Sequence, residues 1–129
     1  MQKTILITGA TDGIGLETSK ALVGLGHKLL LHGRNPAKLE AVSKALSSLT
    51  AGADTENYVA DLSDMAEVEA LAKAVAEKHS KLDVLINNAG VYSAPKPITK
   101  DGLDVRFAVN TIAPYLLTKR LLPLIESSG

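Results

Sequence analysis

The 129-residue chain has no cysteine and no tryptophan, and it contains only one phenylalanine and three tyrosines. Without cysteine it can form no disulfide, no thiolate zinc site and no thiol nucleophile. The scarcity of aromatic side chains leaves little surface on which nucleic-acid bases could stack. Fourteen basic residues balance fourteen acidic ones. There is therefore no excess positive charge to attract nucleic acid or an anionic membrane.

Long hydrophobic runs are also missing. The N-terminal segment MQKTILITGA has only a short apolar run before polar and glycine residues, which is not the pattern of a signal peptide. No run approaches the roughly 18 apolar residues of a membrane-spanning helix. We therefore expect a cytoplasmic protein with no nucleic-acid or membrane partner, and one domain over residues 1–129.

What the chain does contain is a regular alternation of short apolar runs and helical patterns. Strands are predicted at residues 4–8, 28–32, 58–60 and 83–87. A helix is predicted after each strand: one through Leu16, Leu22 and Leu25 to Gly26, one from Pro36 to Leu49, one after Ser63, and one over residues 101–125. The segment AGADTEN before the third strand is expected to be a turn.

Capping residues support two of these helices. Asn35 is a candidate N-cap with Pro36 at the first helical position. Leu39, Val42, Leu46 and Leu49 form the apolar stripe of that helix. Ser63 is the candidate N-cap of the third helix, with Asp64 and Glu67 in the first turn, where the helix dipole favours acidic residues.

The order strand, helix, repeated four times, predicts an α/β fold with a doubly wound parallel sheet between two layers of helices. The chain ends after the fourth helix, where another strand is expected. We therefore predict an incomplete sheet, truncated after the fourth strand and its helix, which leaves that strand as an edge.

The segment TGATDGIG, residues 8–15, joins the first strand to the first helix, where such sheets bind ligands. Gly9, Gly13 and Gly15 permit a tight turn and a close approach of pyrophosphate to the free N–H groups of the helix. Their spacing is G-x-x-x-G-x-G, which differs from the common dinucleotide fingerprint G-x-G-x-x-G. A glycine-rich turn without a ligand is the alternative interpretation.

Together with NNAG (residues 87–90), ADL (residues 60–62) and VN (residues 109–110), this segment makes the chain resemble the short-chain dehydrogenase/reductase family. The four motifs occur in the family's order, and the resemblance extends from Lys3 to about Ile125. The segment from Thr99 to Ile125 most resembles family members close to retinol dehydrogenases and protochlorophyllide reductases.

The resemblance implies a Rossmann-like, three-layer α/β/α fold that binds a nicotinamide cofactor and acts on a small-molecule carbonyl or alcohol. It also implies the positions of the cofactor contacts. The pyrophosphate and adenosine ribose are assigned to Gly9, Thr11, Asp12, Gly13, Ile14 and Gly15. The adenine is assigned to Asp61 and Leu62, and the ribose on the nicotinamide side to Asn88, Ala89 and Gly90. For Asp61, an ordinary strand-end turn residue is the alternative.

The end of the second strand favours NADP over NAD. An acidic residue there would bind the ribose 2′-hydroxyl of NAD and repel a 2′-phosphate. The chain has Gly33 at that place, followed by Arg34 and Asn35, which we include among the cofactor-binding residues. A guanidinium binds phosphate in bidentate fashion. The alternative is that Arg34 is a solvated loop charge.

Asn110 corresponds by resemblance to the family's helix asparagine, which is associated with a proton-relay water. Pro114 lies four residues later and has no N–H, so it cannot donate a hydrogen bond to the Asn110 carbonyl. We therefore predict a catalytic role for Asn110 through a carbonyl free to bind water. A proline-kinked helix without functional meaning is the alternative.

Two Tyr-x-x-x-Lys pairs lie on the wrong elements for the family's catalytic pair, which belongs to a later helix. Tyr92 and Lys96 flank Pro95, so a regular helix is not expected there. Tyr115 and Lys119 lie on the asparagine's helix, among leucines. The three histidines, His27, His32 and His79, are expected in core or surface roles, and no metal site is predicted.

We therefore expect the cofactor-binding half of an NADP-dependent oxidoreductase, inactive by itself. A homo-oligomer is also expected, because the long helix is a common subunit contact in the family. The alternatives are a non-catalytic nucleotide-binding module or regulator with the same fold, and a nucleoside-binding methyltransferase.

Overall fold

The computed structural model describes residues 1–91 and 96–128. Its strands are β1 (Thr4–Ile7), β2 (Lys28–Gly33), β3 (Asp54–Val59) and β4 (Val84–Ile86). Its helices are α1 (Gly13–Gly24), α2 (Pro36–Leu49), α3 (Met65–Lys78), α4 (Val105–Phe107) and α5 (Ala113–Ser128), with a π-helical turn (Ala108–Ile112) between the last two.

The four strands form one parallel sheet in the order β3-β2-β1-β4. The chain moves outward from β1 to β3 and then returns to place β4 on the other side of β1. This reversal opens a crevice at the carboxyl ends of β1 and β4, where ligands bind in doubly wound sheets. The predicted doubly wound α/β class and the placement of β4 at an edge of the described sheet are confirmed.

Alternate residues of the central strands feed two hydrophobic clusters, one on each face of the sheet. Leu6 and Leu30 join the side chains of α3 and α5, among them Val68, Leu117 and Leu121. Ile5, Ile7, Leu29 and Leu31 join the side chains of the other face, among them Val23 of α1 and Leu39 and Leu46 of α2. Because β1 and β2 are apolar at every position from Ile5 to Ile7 and from Leu29 to Leu31, both faces can be covered.

The predicted cap of α2 is confirmed, whereas that of α3 was one residue early. Asn35 Oδ1 accepts hydrogen bonds from the backbone N–H groups of Ala37 (2.9 Å) and Lys38 (3.2 Å). At α3 the N-cap is Asp64, not Ser63; its Oδ1 accepts from Ala66 N–H at 3.0 Å. Both residue types suit the position, so sequence pattern could not distinguish two adjacent candidates.

Two further expectations were wrong. The strand β3 begins at Asp54, inside the segment expected to be a turn, because those residues pair in register with β2 from Lys28 onward. Leu49, predicted in the apolar stripe of α2, is 64% exposed at the end of the helix. The buried residues of α1 are Gly15, Ser19 and Val23, and Leu16 and Leu22 are partly buried against the same hydrophobic cluster.

The last predicted helix is also different from the expectation. It begins at Val105, where Asp104 caps the first turn, and not at residue 101. The π-helical turn then interrupts it, and Ala113 N–H bonds the carbonyl of Ala108 five residues earlier. Pro114 follows directly and supplies no N–H. Pro114 is thus the second residue of α5, immediately after the wider turn.

Candidate functional site

A cleft of about 810 Å³ lies at the carboxyl ends of the strands. It is formed by the glycine loop after β1, the ends of β2 and β3, and the segment after β4. The sequence-predicted residues that line it are Gly9, Thr11, Asp12, Ile14, Arg34, Asn35, Asp61, Leu62, Asn88, Ala89 and Gly90. Predicted residues from four separate segments of the chain are thus brought to one cleft.

The remaining two predicted glycines shape the loop without lining this cleft. Gly15 is the third residue of α1. A Cβ there would collide with the Gly9 carbonyl oxygen and approach Asn88 Nδ2. Gly9 has φ of +65°, and its own Cβ would lie 2.9 Å from Ala89 Cα. Gly13 also has positive φ, at +54°. The loop therefore depends on glycine for conformation and for close packing.

Thr8 and Asn88 join the glycine loop to the segment after β4. The buried Thr8 Oγ1 accepts hydrogen bonds from the backbone N–H groups of Asn88 and Ala89, both at 3.0 Å. Asn88 Nδ2 donates to the Gly9 carbonyl at 3.0 Å. These bonds hold the two loops that bracket the crevice between β1 and β4.

His32, on β2, joins three elements and is 3% exposed. Its Nδ1 lies 3.1 Å from Gly9 N and its Nε2 lies 2.8 Å from the Ala60 carbonyl. Burial lowers the pKa of His32, against the opposing effects of the Ala60 hydrogen bond and the Asp61 carboxylate. The ring is a buried polar connector, in agreement with the core role expected for it.

Charged side chains of both signs lie at the opening of the cleft. Arg34 is exposed and makes no hydrogen bond or ion pair with any residue the structure describes. Lys38 Nζ lies 3.4 Å from Asp12 Oδ2, and these side chains are 57% and 75% exposed. Gly33 precedes Arg34, and a Cβ there would lie 2.8 Å from Thr11 Cγ2 and 3.1 Å from Leu39 Cγ. This position has no room for an acidic side chain without rearrangement.

Asp61 combines a structural role with a free oxygen. Its Oδ1 accepts from Ser63 N–H at 2.9 Å and from Ser63 Oγ–H at 2.7 Å. Its own N–H donates to Glu67 Oε1 at 2.9 Å. Within residues 1–91 and 96–128, no hydrogen bond engages Oδ2, so one carboxylate oxygen of Asp61 is available at the cleft.

Asn110 lies in the π-helical turn, next to the cleft. Its Oδ1 accepts from Val91 N–H at 2.7 Å, and its Nδ2 donates to the Val91 carbonyl at 2.9 Å. This reciprocal pair attaches the segment after β4 to the turn, and the neighbouring Val109 lines the cleft. The predicted water-binding role of the Asn110 carbonyl stays a prediction.

The pair Tyr115 and Lys119 does not contribute to the described lining of the cleft. Tyr92 lies outside the described residues. Tyr115 is 66% exposed on α5, and neither it nor Lys119 is among the described residues that line the cleft.

Sequence reasoning missed several lining residues, namely His32, Gly33, Pro36, Lys38, Ala60, Val91 and Val109. Most of them adjoin a predicted motif in sequence. Lys38 had a signal that was not used, because it lies in the first turn of α2, shortly after Arg34 and the N-cap Asn35. Among the helices that the structure describes, none combines the length and hydropathy needed to cross a membrane.

Comparison with known proteins agrees with this geometry. The family model described as short chain dehydrogenase matches residues 3–129. A short-chain dehydrogenase/reductase of Armillaria gallica is 39% identical over 131 residues, which cover 99% of this chain and 40% of the relative. Human retinol dehydrogenase 13 is 34% identical, over 98% of this chain and 38% of its own length. The chain thus spans about two fifths of the length of these curated relatives.

A solved structure supports the same relationship. A metagenomic short-chain oxidoreductase in complex with NADP is 34% identical and superposes with a TM-score of 0.83. The match covers 98% of this chain and 57% of that one.

Proposed function

The chain belongs to the short-chain dehydrogenase family, and on that premise we propose that it forms the NADP-binding part of an oxidoreductase. The reaction of the whole protein is hydride transfer between the nicotinamide and a small-molecule carbonyl or alcohol. The observation that carries the proposal is the cleft at the carboxyl ends of the strands, where predicted residues of the glycine loop, the end of β2, the end of β3 and the segment after β4 meet.

The glycine loop fits a pyrophosphate. Side chains at Gly9 or Gly15 would collide with neighbouring backbone, so glycine at both positions lets the loop pack closely against the start of α1 and the segment after β4. The first N–H groups of α1 follow this loop, and Asp12 at the N-cap position makes no capping hydrogen bond with its side chain. Free N–H groups at the start of a helix bind phosphate.

The end of β2 supports NADP over NAD. A side chain at Gly33, such as the carboxylate that would bind a ribose 2′-hydroxyl, would require Thr11 and Leu39 to move. Arg34 is exposed at the cleft, and Lys38 lines the same opening. Two cations there favour the binding of a 2′-phosphate, although Lys38 also forms an ion pair with Asp12.

The other two segments fit the remaining parts of the cofactor. The free Oδ2 of Asp61 can accept from the exocyclic amine of adenine, beside the buried Leu62. Asn88, Ala89 and Gly90 line the opposite end, which we assign to the nicotinamide ribose. When bound, the nicotinamide supplies the hydride chemistry.

The acid/base of such a reaction must lie beside the nicotinamide. Tyr115 and Lys119 are not among the described residues that line the cleft, and we propose that this chain by itself binds NADP without turnover. Oxidation of NADPH by this chain with a carbonyl substrate would contradict that part of the proposal.

A homo-oligomer stays a prediction. Three large apolar side chains in the region from α4 to α5 are exposed: Phe107 (53%), Tyr115 (66%) and Leu122 (44%). Their exposure agrees with a surface that a second copy of the chain would cover. The cytoplasmic location also stays a prediction.

Titration calorimetry with NADP and NAD tests the cofactor assignment. We expect tighter binding of NADP than of NAD by the unmodified chain. Arg34→Ala should lower NADP affinity by about tenfold or more, because it removes a charged phosphate contact, and change NAD affinity by less than about threefold. Lys44→Ala is the matched control, since Lys44 is an exposed cation elsewhere on α2. Equal affinity for both cofactors, or an equal loss in both variants, would refute the NADP assignment.

A further inference from the structure

His32 is not among the residues that we assign to the cofactor, yet its side chain makes two hydrogen bonds at the cleft. Its Nδ1 is 3.1 Å from Gly9 N, 23 residues earlier in the chain, and its Nε2 is 2.8 Å from the Ala60 oxygen, 28 residues later. The side chain thus connects the glycine loop after β1 to the end of β3, across β2. These are the two segments to which we assign the pyrophosphate and the adenine.

The partners determine the protonation state of the ring. Gly9 N–H can only donate, so Nδ1 must carry a lone pair. The Ala60 carbonyl can only accept, so Nε2 must carry the proton. The ring is therefore neutral and in a single tautomer. A protonated ring carries N–H groups at both positions and cannot accept from Gly9.

The Gly9 amide has no alternative anchor of its own. Glycine has no side chain to pack, and Gly9 adopts a positive φ close against Ala89. The amides on either side are bonded to backbone: Thr8 N–H to the Ile86 carbonyl at 3.1 Å, and Ala10 N–H to the His32 carbonyl at 2.9 Å. His32 Nδ1 completes this series, so that a partly buried donor is not left unpaired.

The surroundings of the ring favour the neutral form. Burial opposes a charge on His32 and is the largest effect on its pKa, which is lowered. Asp61, after β3, acts in the opposite direction. The other charged groups at the cleft are Arg34 after β2, Asp12 in the glycine loop and Lys38 on α2, and all three are exposed.

We propose that neutral His32 is a positioning residue, which holds the glycine loop against the ends of β2 and β3, and that its protonation releases the Gly9 amide. The consequence for nucleotide affinity rests on the proposed function. The loop geometry itself does not.

The first experiment needs no nucleotide. Nitrogen-15 NMR of the ring should show a protonated Nε2 and a bare Nδ1 at neutral pH. On acidification, the Gly9 amide resonance should move with the same midpoint as the ring, and that midpoint should lie below the ordinary histidine value of about 6.5. A protonated Nδ1 at neutral pH, or a Gly9 amide that does not follow the ring, would overturn the proposal.

The second experiment measures NADP affinity of two variants. His32→Asn retains an acceptor close to the Nδ1 position, whereas His32→Leu has a similar size and no acceptor. We expect His32→Asn to bind within about threefold of the unmodified protein and His32→Leu to bind about tenfold more weakly, the worth of one hydrogen bond. The difference in affinity between the unmodified protein and His32→Asn should also grow as the pH falls below about 6.5, because Asn does not titrate. Equal affinities of the two variants would contradict the role of the acceptor.

His27→Asn is the matched control. His27 Nδ1 also accepts a backbone N–H, that of Lys3 at 3.1 Å, but it lies outside the cleft. This variant should leave NADP affinity unchanged. If the unmodified protein does not bind NADP, the proposed function fails, and the NMR experiment still decides the position of the loop. If His32→Leu does not fold, His32→Asn and the ring tautomer decide it.

Discussion

The two ends of the parallel sheet connect their strands with different chemistry. At the carboxyl ends the connector is the neutral ring of His32, bonded to the backbone of Gly9 and Ala60. Toward the amino ends the connectors are charged. Lys28 Nζ, on β2, lies 3.1 Å from both Asp54 Oδ1 and Glu56 Oε2 on β3.

Glu56 is the centre of the charged end. Its Oε1 accepts from Tyr58 O–H at 2.8 Å and lies 2.9 Å from Nε2 of His79, the C-cap of α3. Burial opposes the charge on Glu56, but the hydrogen bonds from His79, Tyr58 and Lys28 outweigh it and lower its pKa to about 2. Burial and the bond to Glu56 raise the pKa of Tyr58.

We associate the amino ends of the strands with the stability of the fold and the carboxyl ends with ligand binding. At the amino ends, charges pair with one another and attach β3 to β2 and α3. At the carboxyl ends, the neutral ring of His32 connects the strands, and Arg34 makes no bond with the described residues. Charges that serve a ligand must keep their binding capacity, whereas charges that serve the fold are most useful when paired.

Gly15→Ala should have the largest effect, because it disrupts the packing of the glycine loop at the carboxyl ends of the strands. The added methyl would collide with the Gly9 carbonyl oxygen, which is backbone and cannot move without the loop. We expect a loss of about 2–3 kcal/mol in unfolding free energy and no measurable NADP binding. Urea unfolding and calorimetry measure the two effects.

Gly24→Ala is the control for this change. Gly24 is in the same helix, and a Cβ there meets no atom within 4 Å. This variant should be as stable as the unmodified protein or slightly more stable, because alanine favours helix more than glycine. If Gly15→Ala behaves in the same way, the close packing of the loop does not control the cleft.

Glu56→Gln should lower the unfolding free energy by about 2 kcal/mol at pH 7, because it removes the negative charge and replaces one of the two accepting oxygens with an amide donor. The folded pKa of about 2 is below the ordinary value of 4.5. The carboxylate therefore stabilises the fold fully above pH 4.5, and this contribution is lost as the pH falls toward 2. Urea unfolding of both proteins at several pH values should show curves that converge in acid, with NADP affinity at pH 7 unchanged.

Glu40→Gln is the matched carboxylate control. Glu40 is 62% exposed and 3.8 Å from Lys44 on the outer face of α2. Its loss should change stability by less than about 0.5 kcal/mol, since exposed ion pairs contribute little. Equal effects of the two substitutions would mean that the cluster around Glu56 has no special role.

Sequence patterns predicted those features whose cause is local. Hydrophobic runs indicated the order of strands and helices, and the cap at Asn35 followed from residue type beside Pro36. The polar start of β3 could not be predicted in this way. Asp54 and Glu56 have low strand propensity, and they lie in a strand because β2 and Lys28 are beside them.

The candidate site divides along the same line. Its glycines, Arg34 and Asp61 lie in short motifs that can be read one segment at a time. His32 is a single histidine at a strand end, and its partners are 23 and 28 residues away. Only the packing of three strands brings them together, so no sequence window contains that information.

Asn35→Ala should have the smallest effect, and it distinguishes two roles for one residue at the cleft. Asn35 Oδ1 already accepts two backbone N–H groups, so we expect a loss of about 1 kcal/mol in stability and a change of less than about threefold in NADP affinity. Asn35→Asp should restore the cap but weaken NADP binding, because it adds a negative charge beside Arg34. If Asn35→Ala instead lowers NADP affinity by more than about tenfold, the Asn35 side chain contacts the nucleotide directly. It then contributes both to nucleotide binding and to the stability of α2.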